Sequence, residues 1–334
     1  MKKVSLILAA GVLATSAMAA DVKGSGASFP YSVYQKWLKA YYADTKIEVD
    51  YIKKGSSKGI KDVTKRVVDF GGSDKPLSPK KLKKAKLYQF PAVVGAITMA
   101  YNLPNIKNGE LKLSDKAIAA ISLGKIKYWD NPMITATNEK LNLPHKKLTF
   151  VHRADGSGTT FNYTYFLSLV SDEWKDAYGA KKLVDWPGKQ HVGGKTNSGV
   201  AANVKQTPYS IGYIDYADAR GAGLPMASVE NRDGYFVKPT LENFQVAAAK
   251  ASFDPKKDFY SIIAYPAGEN SYPMVAATFI LLPKEKADMN KKVTKFYDWS
   301  FKNGATLASD LGFVPLPSSL QDKIRTYWSD KGIK

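Results

Sequence analysis

Cysteine is absent from all 334 residues, which excludes a disulfide framework, a thiol nucleophile, a Cys-based metal site and a lipidated cysteine behind a leader. Histidine occurs three times, at His145, His152 and His191. Their spacing fits no metal-ligand pattern, so they read as surface or loop residues. No loop ends in the Gly-Lys-Ser/Thr of a nucleotide P-loop, and Gly24-x-Gly26 runs into Phe29 where a dinucleotide fingerprint needs glycine. Gly156-Ser157-Gly158 is not a nucleophile elbow, because Asp155 stands where that motif needs glycine. Internal repeats, heptads and low-complexity linkers are missing too, and the apolar stretch near the N-terminus, Val4 to Ala14, falls short of the roughly 18 residues of a membrane span.

Acidic residues are scarce, 30 against 49 Lys and Arg, for a formal charge of +19. Such a balance attracts anions: nucleic acid, an anionic membrane surface or small acidic solutes. The lysines are scattered, as at Lys80-Lys81, Lys83-Lys84, Lys146-Lys147 and Lys291-Lys292, without an arginine-rich or RNA-binding aromatic signature. A solvated basic surface fits that pattern better than a nucleic-acid face. The twenty tyrosines fall mostly in strand or helix patterns such as Tyr209 to Tyr216 and Phe296 to Trp299, which points to core packing rather than stacking on a ligand.

What is present begins with Met1-Lys2-Lys3, the apolar stretch Val4 to Ala14 and Thr15 to Ala19, the order of a secretory signal peptide. Cleavage is expected after about Ala19, giving an exported chain with no membrane insertion. Without disulfides its stability must come from buried apolar surface, and its length suits two lobes.

Strand-like and helix-like segments alternate along the chain, which predicts an α/β fold. Phe29, Val33, Trp37 and Tyr41, spaced by four, predict a helix leading to a strand at Ile47 to Tyr51; Ile60, Val63 and Val67 predict a second helix. The apolar runs Ala92 to Tyr101 and Met274 to Leu282 read as buried strands that cross between lobes. The expected domains are therefore a signal peptide at 1–19, a discontinuous lobe 1 at 20–93 and 274–334, and lobe 2 at 94–273.

Three segments share one design, a Gly/Ser loop just before an amphipathic helix: Gly24 to Pro30, Gly55 to Gly59 and Asp155 to Thr160. A helix start carries unpaired N–H groups and partial positive charge, and Ser or Thr beside it adds hydroxyl donors, which makes an anion-binding tool. Each alone is equally an N-cap and turn; three in one basic, exported chain favour convergence on an oxyanion. Arg153 can offer a guanidinium fork braced by Asp155, against the alternative of a surface ion pair worth ~0–1 kcal/mol. Asp74, in a turn-rich Gly-Ser-Asp stretch, repels an anion unless the anion carries a proton. Hydrogen phosphate does and sulfate at neutral pH does not, and sites built on such a polar match can reject the mismatch by roughly 10⁴-fold.

Gly24-Ser-Gly-Ala-Ser-Phe-Pro30, Gly55-Ser-Ser57, Asp69-Phe-Gly-Gly-Ser-Asp74, Leu123-Gly-Lys-Ile-Lys-Tyr-Trp-Asp130, Arg153-Ala-Asp-Gly-Ser-Gly-Thr159, Ile211-Gly-Tyr-Ile-Asp-Tyr216 and Thr278-Phe-Ile-Leu281 together resemble the periplasmic phosphate-binding proteins of phosphate ABC importers (PstS-like), over nearly the whole mature length. The resemblance implies a two-lobed class II periplasmic-binding-protein fold with the ligand cleft between the lobes, no cofactor and no metal. It implies a monomer that passes inorganic phosphate to permease subunits of an ABC transporter. It further implies that phosphate is held by the Ser28 hydroxyl and Phe29 N–H, by Ser56, and by Arg153, Ser157, Gly158 and Thr159, with Asp74 accepting the phosphate proton. Three positions depart from the common pattern. Ser28 replaces a frequent threonine, Lys58 a common glycine, which bears on the backbone path after Ser57, and His152 an arginine, which weakens the positive surroundings of the site unless the imidazole is protonated. The rival readings are a receptor for another oxyanion such as sulfate or molybdate, an exported phosphoester hydrolase, and a basic protein binding nucleic acid or membrane.

Overall fold

The computed structural model describes residues 20–334; the expected signal peptide at 1–19 lies outside them. In chain order the first elements are β1 (Val22–Gly26), α1 (Tyr31–Thr45), β2 (Val49–Lys53), α2 (Ser56–Thr64), β3 (Phe70–Ser73), α3 (Pro79–Ala85) and β4 (Leu87–Tyr101). The middle of the chain adds β5 (Lys112–Leu113), α4 (Asp115–Ser122), α5 (Pro132–Thr135), β6 (Thr149–Arg153), α6 (Gly158–Val170), α7 (Asp172–Ala177), β7 (His191–Gly194), α8 (Thr196–Gln206), β8 (Ser210–Asp215), α9 (Tyr216–Gly221), β9 (Ser228–Glu230), β10 (Phe236–Val237) and α10 (Leu241–Ala248). The chain ends with β11 (Val275–Pro283), α11 (Ala287–Asn303), α12 (Ala305–Ser309) and α13 (Ser318–Asp330).

One eight-stranded sheet runs β2-β1-β3-β11-β4-β8-β6-β7, and a small sheet runs β10-β9-β5. Two parallel groups, β2-β1-β3 and β8-β6-β7, lie at opposite ends of the large sheet, and antiparallel β11 and β4 join them. β4 serves both groups. Its first part, Leu87 to Ala96, pairs with β11, and its last five residues, Ile97 to Tyr101, pair with β8.

Burial follows from composition. α1 turns Val33, Tyr34, Trp37 and Tyr41 inward, and an aromatic cluster of Tyr34, Tyr51, Phe70, Phe90, Tyr297 and Trp328 fills the space between the sheet and α1 and α11. A second cluster joins Phe150, Tyr163, Trp174, Trp186 and Tyr213, with Tyr163 stacked on Tyr213 at 4.3 Å. In both, rings without disulfides to help them supply the buried apolar area that holds the layers together.

Several boundaries differ from expectation. β4 begins at Leu87, not Ala92, because Pro91 adjoins a β-bulge in its own strand, where Ala92 is the extra residue opposite Thr278/Phe279 and a missing N–H does not interrupt the ladder. β2 begins at Val49, two residues after Ile47. α2 stops at Thr64, and Val67 lies beyond it, 65% exposed; Arg66 in the left-handed region at φ 61 turns the chain out of the helix. Nor are all the histidines surface or loop residues, because His152 is buried on β6, while His145 and His191 are exposed. Among the described residues no helix is long and apolar enough to cross a membrane.

Candidate anion-binding site

Parallel strands deliver their carboxyl ends, and the helix starts that follow, to one side of a sheet, where ligands of such folds collect. Here β1 leads into the loop carrying Ser28 and Phe29, β2 leads through Gly55 to Ser56 at the start of α2, and β3 ends just before Asp74. From the other group, β6 ends at Arg153 and leads through Ser157 to Gly158 and Thr159 at the start of α6, and β7 leads to Asn197 at the start of α8. All eight residues expected to hold the anion are buried, and hydrogen bonds bring the two groups face to face.

Gly55 and Gly158 explain how closely they approach. A Cβ on Gly55, which has φ +85, would meet Asp155 Oδ2 at 2.5 Å, and one on Gly158 would meet Ser56 Oγ at 2.5 Å and Asp74 Cβ at 2.6 Å. Only glycine lets the starts of α2 and α6 come this near. Around that contact, Ser57 N–H donates to the Gly156 carbonyl at 2.9 Å, Asn197 N–H to Ser28 Oγ at 3.2 Å and Lys53 Nζ to Ser198 Oγ at 3.0 Å. Ser157 both caps α6, accepting from Thr160 N–H at 3.0 Å, and keeps its own hydroxyl proton to donate.

Arg153 is 1% exposed, so its pairing with Asp155 is no surface ion pair. Nε and Nη2 donate to the two carboxylate oxygens at 2.7 and 2.6 Å, and Nη1 donates to Asn197 Oδ1 at 3.1 Å. Five guanidinium N–H bonds less these three leaves one each on Nη1 and Nη2, an end-on fork. Asp155 also neutralises the cation, so beyond this pair the positive potential comes from helix starts.

Asp74 is 2% exposed. Thr278 Oγ1 donates to its Oδ1 at 2.7 Å, Ser56 Oγ lies 3.3 Å from Oδ2, and the Asp74 N–H donates to Ser56 Oγ at 3.2 Å. Burial pushes the Asp74 carboxyl up to about 7; the Thr278 hydrogen bond, the Arg153 charge and the Ser56 hydroxyl keep it from rising further. The pocket thus brackets one shareable proton near neutrality.

A model of the PBP superfamily domain matches residues 13–303. The phosphate-binding protein PstS of Pasteurella multocida (strain Pm70) is 44% identical over 332 residues, 98% of this chain and 96% of that protein. The chain belongs to the PstS family. Among solved structures, a high-affinity periplasmic phosphate-binding protein with phosphate bound superimposes with a TM-score of 0.72 at 20% identity, covering 92% of this chain and 93% of that one. An ABC-type phosphate transport receptor from Vibrio cholerae gives 0.56 at 16% identity, covering 89% and 100%. These likenesses give the fold, the two-lobed mixed α/β architecture of the family.

The departures from the family pattern resolve differently. Lys58 points outward from a regular α2, so the backbone path is undisturbed. His152 stays neutral: burial holds its imidazole below the usual range, and the His191 ring adds to this while a hydrogen bond with the Arg153 carbonyl opposes it. Its Nδ1 lies 3.0 Å from that carbonyl and its Nε2 3.0 Å from His191 Nδ1, so it supports the strand rather than the charge of the site.

Four contributors had escaped the sequence reading. Asn197 donates to Thr159 Oγ1 at 3.2 Å in addition to its contacts with Arg153 and Ser28, Thr278 grips Asp74, Asn162 donates to the Asp74 carbonyl at 2.7 Å, and Tyr213 Oη accepts the Arg153 N–H at 3.0 Å. Asn197 had a signal: Gly193-Gly194-Lys195-Thr196-Asn197-Ser198-Gly199 is a further glycine and hydroxyl loop before a helix. For Asn162 and Tyr213, inside regular elements, no local pattern marks a role.

Proposed function

We propose that this protein binds inorganic phosphate in the periplasm and delivers it to the permease subunits of an ABC importer. The reading is of a monomeric binding component and not an enzyme, and it assigns phosphate to Ser28, Phe29, Ser56, Asp74, Arg153, Ser157, Gly158 and Thr159. The observation that carries it is Asp74, a buried carboxyl set among N–H and hydroxyl donors at the starts of α2 and α6. A dianion without a proton would place its oxygens against that carboxylate. Phosphate shares its proton with Asp74, the two remaining Arg153 N–H bonds take two oxygens, and helix starts supply the rest.

The expected strength is ample. One charge-assisted fork contributes about 1.5–3 kcal/mol and each neutral donor about 0.5–1.5, with ~0.3–1 from each helix end. Together these reach the ~8 kcal/mol of micromolar binding. In this reading lobe 1 comprises 20–93 and 274–334 and lobe 2 comprises 94–273, hinged where β4 passes from β11 to β8, and the leader is removed after about Ala19. Lobe closure buries the anion and creates the form that docks on the permease.

Isothermal titration of the mature protein with phosphate and with sulfate at pH 7.5 tests the proposal. Tight one-to-one phosphate binding with sulfate weaker by at least about a thousandfold is expected; equal binding of the two would overturn it. Phosphate release from a chromogenic ester by pure protein would instead favour the hydrolase reading.

A further inference from the structure

The turn that carries Asp74 is tied across the cleft to α6 by two side chains that are not assigned to the anion. Asn162, one turn into α6 and 5% exposed, donates from Nδ2 to the Asp74 carbonyl at 2.7 Å and to the Gly158 carbonyl at 2.9 Å. Both of its amide hydrogens are thereby used. Lys75, next to Asp74, places Nζ 4.0 Å from the centroid of the Phe161 ring, also on α6. The turn is stiff in itself, since Ser73 Oγ donates to the Lys75 carbonyl at 2.7 Å and accepts the Lys75 N–H at 3.2 Å.

These contacts link backbone to backbone. Asp74 supplies the proton acceptor and Gly158 the helix start, and Asn162 holds the carbonyls of both. We propose that Asn162, assisted by Lys75 on the face of Phe161, is a positioning clasp that forms as the two lobes close and sets how slowly the bound anion leaves. The inference rests on the phosphate-receptor reading above.

A clasp of this kind acts on the closed state alone. It registers Asp74 against α6 after the anion has entered, so it lowers the dissociation rate and leaves the encounter rate and the choice of oxyanion unchanged. Asn162 carries the larger share. Its bond is short and buried, whereas burial, with the charges of Lys81 and Lys182 nearby, lowers the Lys75 ammonium to about 8, and a partly exposed cation over a ring is worth less than a buried hydrogen bond.

The test compares wild type with Asn162→Leu, which keeps the volume and helix preference, and with Lys75→Met, which keeps the aliphatic stem. Rates are read from binding of radiolabelled inorganic phosphate and its release into unlabelled phosphate, alongside ligand-free Tm. Asn162→Leu is expected to speed release about tenfold, and Lys75→Met about threefold. Association should stay within about twofold and the phosphate-to-sulfate preference should be unchanged. A purely structural Asn162 would lower Tm without moving the release rate, and that result, or a slowed association, overturns the clasp. Should wild type bind no phosphate, the functional reading falls. The clasp, which acts only on the ligand-bound closed state, then falls with it, whereas normal phosphate binding with an unchanged release rate overturns the clasp alone.

Discussion

The wall of the cleft built on β1, β2 and β3 presents hydroxyls, N–H groups and one carboxyl, Asp74, whereas the wall built on β6, β7 and α6 presents an arginine whose charge Asp155 has already balanced. The charge of Arg153 is balanced within its own wall, although the chain as a whole has a formal charge of +19. The difference teaches that the two walls have separate tasks. On the proposed reading, the Arg153 wall would fix oxygens by direction, through an end-on fork and a helix start, and the Asp74 wall would ask whether one of those oxygens brings a proton.

If that division is right, the largest loss follows from emptying the Arg153 wall. Arg153→Met leaves Asp155, a partly buried carboxylate, with the Thr196 N–H but without its cation, and removes both directed N–H bonds, a change that costs about 3–5 kcal/mol. Titration calorimetry should find phosphate affinity down by roughly 10³-fold; a loss below tenfold would erase the distinction between the walls.

The Asp74 wall is challenged with pH. Burial pushes its carboxyl up to about 7 from the ordinary carboxylate range, so on the proposed reading closure around it would favour the protonated form. Sulfate brings none, and it can be held only when Asp74 is itself protonated. Sulfate binding should therefore strengthen as pH falls from 8 to 6, by up to about tenfold per unit. Asp74→Asn should bind sulfate with little pH dependence. A flat sulfate profile in wild type would remove Asp74 from its role.

Asn197 belongs to both walls, holding Arg153 and Thr159 on one and Ser28 on the other. Asn197→Ala should cost phosphate roughly tenfold in affinity, measured by the same calorimetry, because its backbone N–H survives while two side-chain bonds are lost. The smallest effect is expected from the surface charge. Raising salt from 50 to 200 mM, or changing Lys291 and Lys292 to Gln, should alter phosphate affinity by less than about threefold, since a cleft closed off from solvent is screened little. A steep salt slope would return the lysines to the site.

Much of this was legible in advance where the physics is local. The loops before α1, α2 and α6 announce themselves because a helix start needs Gly, Ser or Thr within a few residues, and the same pattern marks the approach to α8. The long apolar run of β4 was visible as well, though Pro91 hid its first turn of ladder until the bulge opposite Thr278 accounted for it. His152 misled, since an isolated polar residue at a strand end gives no sign of the Trp186 and His191 rings that bury it.

The sequence by itself determined the donors and the acceptor: hydroxyls and glycines at helix starts, one arginine with an acid two residues on, and an aspartate at a strand end. Tertiary structure alone decided which of these meet. Asn162, Thr278 and Tyr213 lie 88, 204 and 60 residues from the groups they hold. Contacts at such separation depend on sheet register and on the closeness of two helix starts, and those follow from packing the whole chain, not from any short stretch of it.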